Sequence, residues 1–230
     1  LEKLTELDVD GRNLAEDKKI ADPTGVEYCI SITNLNLYSH ALIDISPLSN
    51  LKTLTKLGVG DNQIRDISPL SRLTGLTRLD IHGNYIADLS PLSNLTNLTS
   101  IHLHNANKDN AKWDLSALSN LTKLTWLELY GNKINDISAL SQLTNLSSLN
   151  LEFNQIRDIS LLVENTGISG EINLKNNPLN NTALSTHIPA LEARGIKVEY
   201  DMPEGVVLFK DANLEKAIRD ALGITTELLN

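Results

Sequence analysis

Stepped at 22 residues, the chain aligns with itself. LTKLGVGDNQIRDISPLSRL (54–73), LTRLDIHGNYIADLSPLSNL (76–95), LTWLELYGNKINDISALSQL (124–143) and LSSLNLEFNQIRDISLL (146–162) superimpose position by position. ITNLNLYSHALIDISPLSNL (32–51) belongs to the same series, LTELDVDGRN (4–13) opens a copy stretched to 28 residues, the copy at 98–121 carries four extra residues, and GEINLKNNPL (170–179) is a divergent last one. A unit this short cannot bury its own apolar side chains, so the copies must stack and share one core. Within each unit the stretch LxxLxL alternates apolar and outward residues as a strand does. Too few residues then remain before the next strand for a helix of three turns. The expected architecture is of the α/β class: a solenoid with a curved parallel sheet on its concave side, loops and 3₁₀ turns on its convex side, and short terminal helices.

Each recurring position has a physical reason. Leu57, Val59, Ile64, Ile67, Leu70 and Leu73 point into one core layer. Asn62, Asn84, Asn132, Asn154 and Asn177 are placed to form a ladder whose amides satisfy backbone groups at the turns; His40 and Ala106 interrupt it, and looser turns are expected there. Asp44, Asp66, Asp88, Asp136 and Asp158 read as turn caps and not as catalytic carboxylates. Pro47, Pro69 and Pro91 fall on the convex arm, where no ladder N–H is needed.

The pattern LxxLxLxxNxIxD(I/L)SPL resembles the leucine-rich repeat family, in particular the bacterial 22-residue class typified by internalins. The resemblance covers nearly the whole chain. It implies a recognition module with adhesion-type or protein–protein roles, in a secreted or surface-attached bacterial protein; an intracellular regulatory scaffold docking on an enzyme is the alternative.

Domain organisation follows from where the pattern stops. Repeats with eight strand segments occupy 1–181, a closing cap with a helix around Ala190 to Arg194 and the strand IKVEY occupies 182–200, and a linker spans 201–210. Residues 211–230 then read as a helix with Asp211 as N-cap, an apolar stripe of Leu214, Ala217, Ile218, Ala221 and Leu222, and Gly223 as its stop. By the family resemblance such a helix precedes a first repeat, so the chain reads as a slice of a tandem array or as a permuted fragment. Eight strands at about 4.8 Å put the two ends of the solenoid roughly 34 Å apart, which ten extended residues at about 3.3–3.6 Å each barely span. The helix is therefore expected near the closing cap, leaving Leu4 and Leu7 at an exposed edge that invites head-to-tail self-association.

Outward strand positions fall into three columns. The first contains Arg78, Ser100 and Trp126, the second Asp80, His102 and Glu128, and the third Tyr38, His82, His104, Tyr130 and Glu152. Aromatic residues are only 4% of the chain, so Trp126 and Tyr130 among charged neighbours mark a contact surface. The candidate ligand-binding set is Arg78, Asp80, His82, His102, His104, Trp126, Glu128, Tyr130 and Glu152, with Phe153 at the adjoining turn. The expected ligand is a protein, with a glycan as the alternative.

The remaining chemistry is sparse. A net charge of -9 lacks the basic stripe that nucleic acid or an anionic membrane requires, and no apolar run reaches the length of a membrane span. No phosphate loop, nucleophile elbow or HExxH motif is present, and the single Cys29 takes an inward position; no enzyme activity and no cofactor are expected. His82, His102 and His104 with Asp80 or Glu128 suggest a metal set, but an open sheet is expected neither to orient the rings nor to supply supporting partners, so no metal is expected. The insertion NANKDNAKWD (105–114) departs from the repeat, and its Trp113 is either a local plug or a second contact point.

Overall fold

The computed structural model describes residue 1 and residues 3–109, 111–202 and 212–222. Among them, three-residue strands recur at β1 (Glu6–Asp8), β2 (Asn34–Asn36), β3 (Lys56–Gly58), β4 (Arg78–Asp80), β5 (Ser100–His102), β6 (Trp126–Glu128), β7 (Ser148–Asn150), β8 (Glu171–Asn173) and β9 (Lys197–Glu199). They form one parallel sheet in chain order. The pairings Lys56↔Arg78, Arg78↔Ser100 and Ser100↔Trp126 make the first column of outward residues; Asp80, His102 and Glu128 make the second in the same register. Eight strand segments were expected in the repeats. The strand of the closing cap adds a ninth, because Lys197 pairs with Glu171 and extends the ladder by one rung.

The core is a stack of leucine and isoleucine layers. Leu57, Val59, Ile64, Ile67, Leu70 and Leu73 are all buried, as are their counterparts Leu79, Ile81, Ile86, Leu89, Leu92 and Leu95 one repeat later. Convex arms are 3₁₀ turns at Ser46–Asn50, Ser68–Arg72, Ser90–Leu92, Leu115–Leu118 and Ser138–Gln142, and the arm after β7 is a short α-helix, α1 (Ser160–Glu164). Each turn is started by its aspartate: the carboxylates of Asp44, Asp66, Asp88, Asp114, Asp136 and Asp158 accept from the backbone N–H two residues on, at 2.7–2.8 Å.

The asparagine ladder is present and tighter than expected at its two exceptions. Asn84 shows the rule: its Nδ2 donates to the carbonyls of Val59 and Ile81 at 3.0 Å, and its Oδ1 accepts from Ile64 N–H. The expectation of a loose turn at His40 fails because imidazole has one donor and one acceptor in the same directions. His40 Nε2 lies 2.9 Å from Val9 O, Nδ1 accepts from Ile20 N–H at 3.2 Å, and the ring is buried. At Ala106 the polar role passes to the next residue. Asn107 is buried and donates to Ala111 O and Asn132 O, while Asn132 Oδ1 accepts from the N–H groups of both Ala106 and Asn107.

Trp113 is the plug. Its Nε1 donates to Ile86 O at 2.9 Å and its ring packs against the core, so the insertion closes over its own repeat. At the other end, α2 (Ile188–Ala193) starts earlier than the helix expected around Ala190 to Arg194, and a π-helical turn at Ala183–His187 leads into it. Ile188 and Leu191 bury themselves over the last repeat, and Arg194 donates to the carbonyls of Val163, Asn165 and Ile168. A third helix, α3, spans Ala212–Leu222. Its expected cap Asp211, its stop Gly223 and most of the linker lie outside the described residues.

Candidate functional site

The concave face is furnished unevenly, and the reason begins with two glycines. The repeat carrying β3 has Gly58 and Gly60 at its second and third outward positions, so it forms a trough. A Cβ at Gly58 would lie 2.8 Å from the Tyr38 ring, and one at Gly60 would lie 2.4 Å from His82 and 2.9 Å from Tyr38. Tyr38, from the β2 repeat, lies across this trough and donates its hydroxyl to Asp80 on β4. Asp80, nearly enclosed at 7% exposure, is also 2.6 Å from His82 Nδ1, while His82 Nε2 is 3.2 Å from Asp61. Burial opposes ionisation of Asp80, but its hydrogen bonds from His82 and Tyr38 outweigh this and keep its carboxyl below the usual range. For His82 burial likewise opposes the charge; Asp80, through hydrogen bond and field, and then Asp61 raise its pKa. Tyr38 was absent from the expected set. Its signal was Gly58 and Gly60, a double vacancy in the outward columns.

A second network sits one and two strands further on. The Nδ1 atoms of His102 and His104 converge on one oxygen of Glu128, at 3.0 and 3.1 Å from Oε2. Trp126 Nε1 donates to the other oxygen, Oε1, at 3.0 Å. Ser100 Oγ lies 3.2 Å and the Arg78 guanidinium 3.5 Å from His102 Nε2. Contact with His102, then with His104, holds the Glu128 carboxyl far below its ordinary range.

The two networks are joined by stacked rings. Tyr38 meets His82 tilted, with centroids 5.7 Å apart and planes at 45°; His82 and His104 stack at 4.3 Å with planes 17° apart, and His104 and Tyr130 at 4.5 Å with planes 8° apart. On the first column, Trp126 stacks over His102 at 6.2 Å. The expectation that an open sheet leaves these histidines unoriented is therefore corrected: side chains of His82, His102 and His104 are only 14–21% exposed. Neighbouring rows of a parallel sheet stand about 4.8 Å apart, a spacing at which rings in one column stack and shield each other.

Arg78, Asp80, His82, His102, His104, Trp126, Glu128 and Tyr130 thus come together. Glu152 does not join them, because Asn173 and Asn176 on the far side donate to its carboxylate at 3.1 and 3.3 Å. Phe153 stands 56% exposed on the turn after β7, with φ of 52°. The equivalent turn residue is Gly83 in one repeat and Gly131 in another, both at positive φ. A large aromatic in the left-handed region works against its own backbone preference.

A family model of leucine-rich repeats matches in two copies, at residues 74–120 and 122–164. Among solved structures, an internalin from Listeria monocytogenes, inlF, is 36% identical with a TM-score of 0.73 over 87% of this chain. The chain is a leucine-rich repeat protein of the internalin-like class. This internalin-like chain spans 56% of the length of that relative. A second L. monocytogenes protein, internalin C2, shares the fold at 24% identity and a TM-score of 0.75, over 87% of this chain and 82% of that one. The ectodomain of an Arabidopsis thaliana receptor kinase, solved with Casparian strip integrity factor 2, shares it at 19% identity and a TM-score of 0.54, over 68% of this chain and 22% of that one. A comparison with curated protein sequences finds no match. Leucine-rich repeat folds commonly mediate recognition between proteins. Among the described residues of this internalin-like chain, no helix is long and apolar enough to cross a membrane.

Proposed function

We propose that this chain is a non-catalytic recognition module that binds a protein ligand on its concave face, within a secreted or surface-attached bacterial protein. The observation that carries the reading is the concentration of Trp126, Tyr130, three histidines, Arg78 and two carboxylates on β4, β5, β6 and the turns that follow them, in a chain otherwise poor in aromatics. Aromatic residues and arginine are what the buried centres of protein interfaces favour. A protein suits this surface better than a glycan. A sugar ring stacks on an open aromatic face, whereas here the faces of His82, His104 and Tyr130 are turned to one another and the exposed ring surface on this side is confined to Trp126 and Phe153. Phe153, exposed against its backbone preference, extends the contact surface toward β7. The side chains on this face are held in hydrogen bonds and stacks, which limits the side-chain entropy lost on binding.

The reading includes self-association. Leu4, Leu7, Val9, Ile20 and Val26 pack on the core from the β1 end yet remain half-buried, an apolar rim that a second copy of the chain can cover through its terminal helix.

The test is the double variant Trp126→Ala with Tyr130→Ala. Trp126 is 45% exposed and Tyr130 half-buried, so the melting temperature should fall far less than for a core truncation. Capture of partners from host-cell surface extract, scored by the bands present with wild type, should be lost. Identical band patterns from both proteins would overturn the reading.

A further inference from the structure

The second network has the composition and convergence of a metal site, and we propose that His102, His104 and Glu128 bind one zinc-class divalent ion on the concave face. The three ligand atoms, two imidazole Nδ1 and one carboxylate oxygen, lie within 4.8 Å of one another. Around a tetrahedral zinc with bonds of about 2.0–2.1 Å, ligand atoms stand roughly 3.3 Å apart. The 3.0 and 3.1 Å approaches of the two nitrogens to Oε2 already have nearly that spacing. Centring an ion also requires the two histidine ligand atoms, which lie within 4.8 Å of each other, to take up that spacing by side-chain rotation.

Two further observations point to a cation and not to a hydrogen-bonded cluster alone. His104 Nδ1 is shut off from solvent, and although it is 3.1 Å from Oε2 it is not aligned to form a hydrogen bond. A buried nitrogen without a hydrogen-bond partner is costly, and a metal bond relieves that cost. The supporting contacts are also those that a metal site needs. Trp126 Nε1 fixes Oε1 and so leaves Oε2 for the ion, and the rings of His82 and Tyr130 clamp His104 from both faces. Ser100 Oγ and the Arg78 guanidinium hold His102 Nε2 at 3.2 and 3.5 Å, so Nδ1 carries the proton it donates to Glu128 Oε2, and an incoming cation takes that proton's place between the two ligand atoms. This reverses the expectation of no metal, whose premise of unoriented rings the structure does not meet.

Two nitrogens and one oxygen suit zinc and its first-row neighbours; calcium and magnesium take oxygen ligands. The ligands stand on the outward side of the sheet while Ile101 and Leu127 carry the core, so removing the ion is expected to leave the melting temperature nearly unchanged. Three protein ligands leave a position open toward the concave face, for water or, on the reading proposed above, for a side chain of the bound protein.

Zinc titration of tag-free, chelator-treated protein, followed calorimetrically and by competition with a chromophoric chelator, tests the site without any protein ligand. One zinc per chain is expected, together with a cobalt spectrum of low-coordinate nitrogen and oxygen ligation. His104→Phe keeps the stack and Glu128→Gln keeps the indole contact; each should weaken zinc at least about 100-fold, and Trp126→Phe about 10- to 100-fold, as removal of a supporting partner does. Circular dichroism establishes that the variants fold. Wild-type binding no tighter than that of folded His104→Phe, or no zinc bound at one per chain, overturns the proposal and leaves the recognition reading untouched.

Discussion

Single side chains differ sharply in what they do for the fold. Leu127 is fully buried between the outward Trp126 and Glu128, and Leu127→Ala should cost about 2–5 kcal/mol, as core truncations do. Denaturant melts check this, and a loss under 1 kcal/mol would mean the layer collapses around the gap. His40 makes a different prediction. Its ring makes the accepted bond and one of the donated bonds that a ladder asparagine makes, so His40→Asn should be well tolerated. His40→Ala strands Val9 O and Ile20 N–H and should cost about 1–3 kcal/mol per unsatisfied group. Equal stability of the two variants would show that the ring merely fills space. At Phe153 the side chain opposes the fold: Phe153→Asn, which suits φ of 52°, should leave stability unchanged or raise it by about 1 kcal/mol. A clear drop in melting temperature would mean that the phenyl ring packs in solution.

At the scale of elements, the trough of the β3 repeat couples three strands by proton chemistry. The raised pKa of His82 stabilises the fold below its unfolded value of about 6.5, and that contribution is lost as pH climbs through the folded value. The lowered pKa values of Asp80 and Glu128 contribute above about 4 and are lost as pH falls below it. The network therefore adds most between about pH 4 and pH 6.5. The groups facing His82 are Asp80, Asp61, Tyr38 and His104. In melting curves from pH 5 to 8, wild type should exceed His82→Gln most at the acidic end, and a constant difference would exclude the coupling. Gly60→Ala places a methyl against His82 and Tyr38 and should abolish the same pH dependence while the leucine core stays folded.

For the whole molecule, the sheet is asymmetric at its ends. The β9 end is covered by α2, whose Ile188 and Leu191 are buried, while the β1 end presents half-buried Leu4 and Leu7. With nine strands the sheet has eight gaps of about 4.8 Å, so its ends stand about 38 Å apart. Head-to-tail association through the β1 edge should appear as concentration-dependent growth in size-exclusion and scattering measurements. Deleting residues 203–230 should remove that growth, and a monomer at all concentrations would end the idea.

The repeat, read alone, determined the layers, the parallel register, the turn-capping aspartates and the identity of each outward column. These follow from periodicity, which places a residue without reference to distant neighbours. The same periodicity brought Arg78, Asp80, His82, His102, His104, Trp126, Glu128 and Tyr130 onto one face. It could not say that Glu152 turns away toward Asn173, because a side chain's direction depends on which neighbour offers the better hydrogen bond. Nor could it show His40 standing in for asparagine, Tyr38 reaching two strands across a pair of glycines, or two imidazoles meeting on one carboxylate oxygen. Those arrangements are set by the spacing of strands and the volume of what stands between them, and only tertiary packing fixes both.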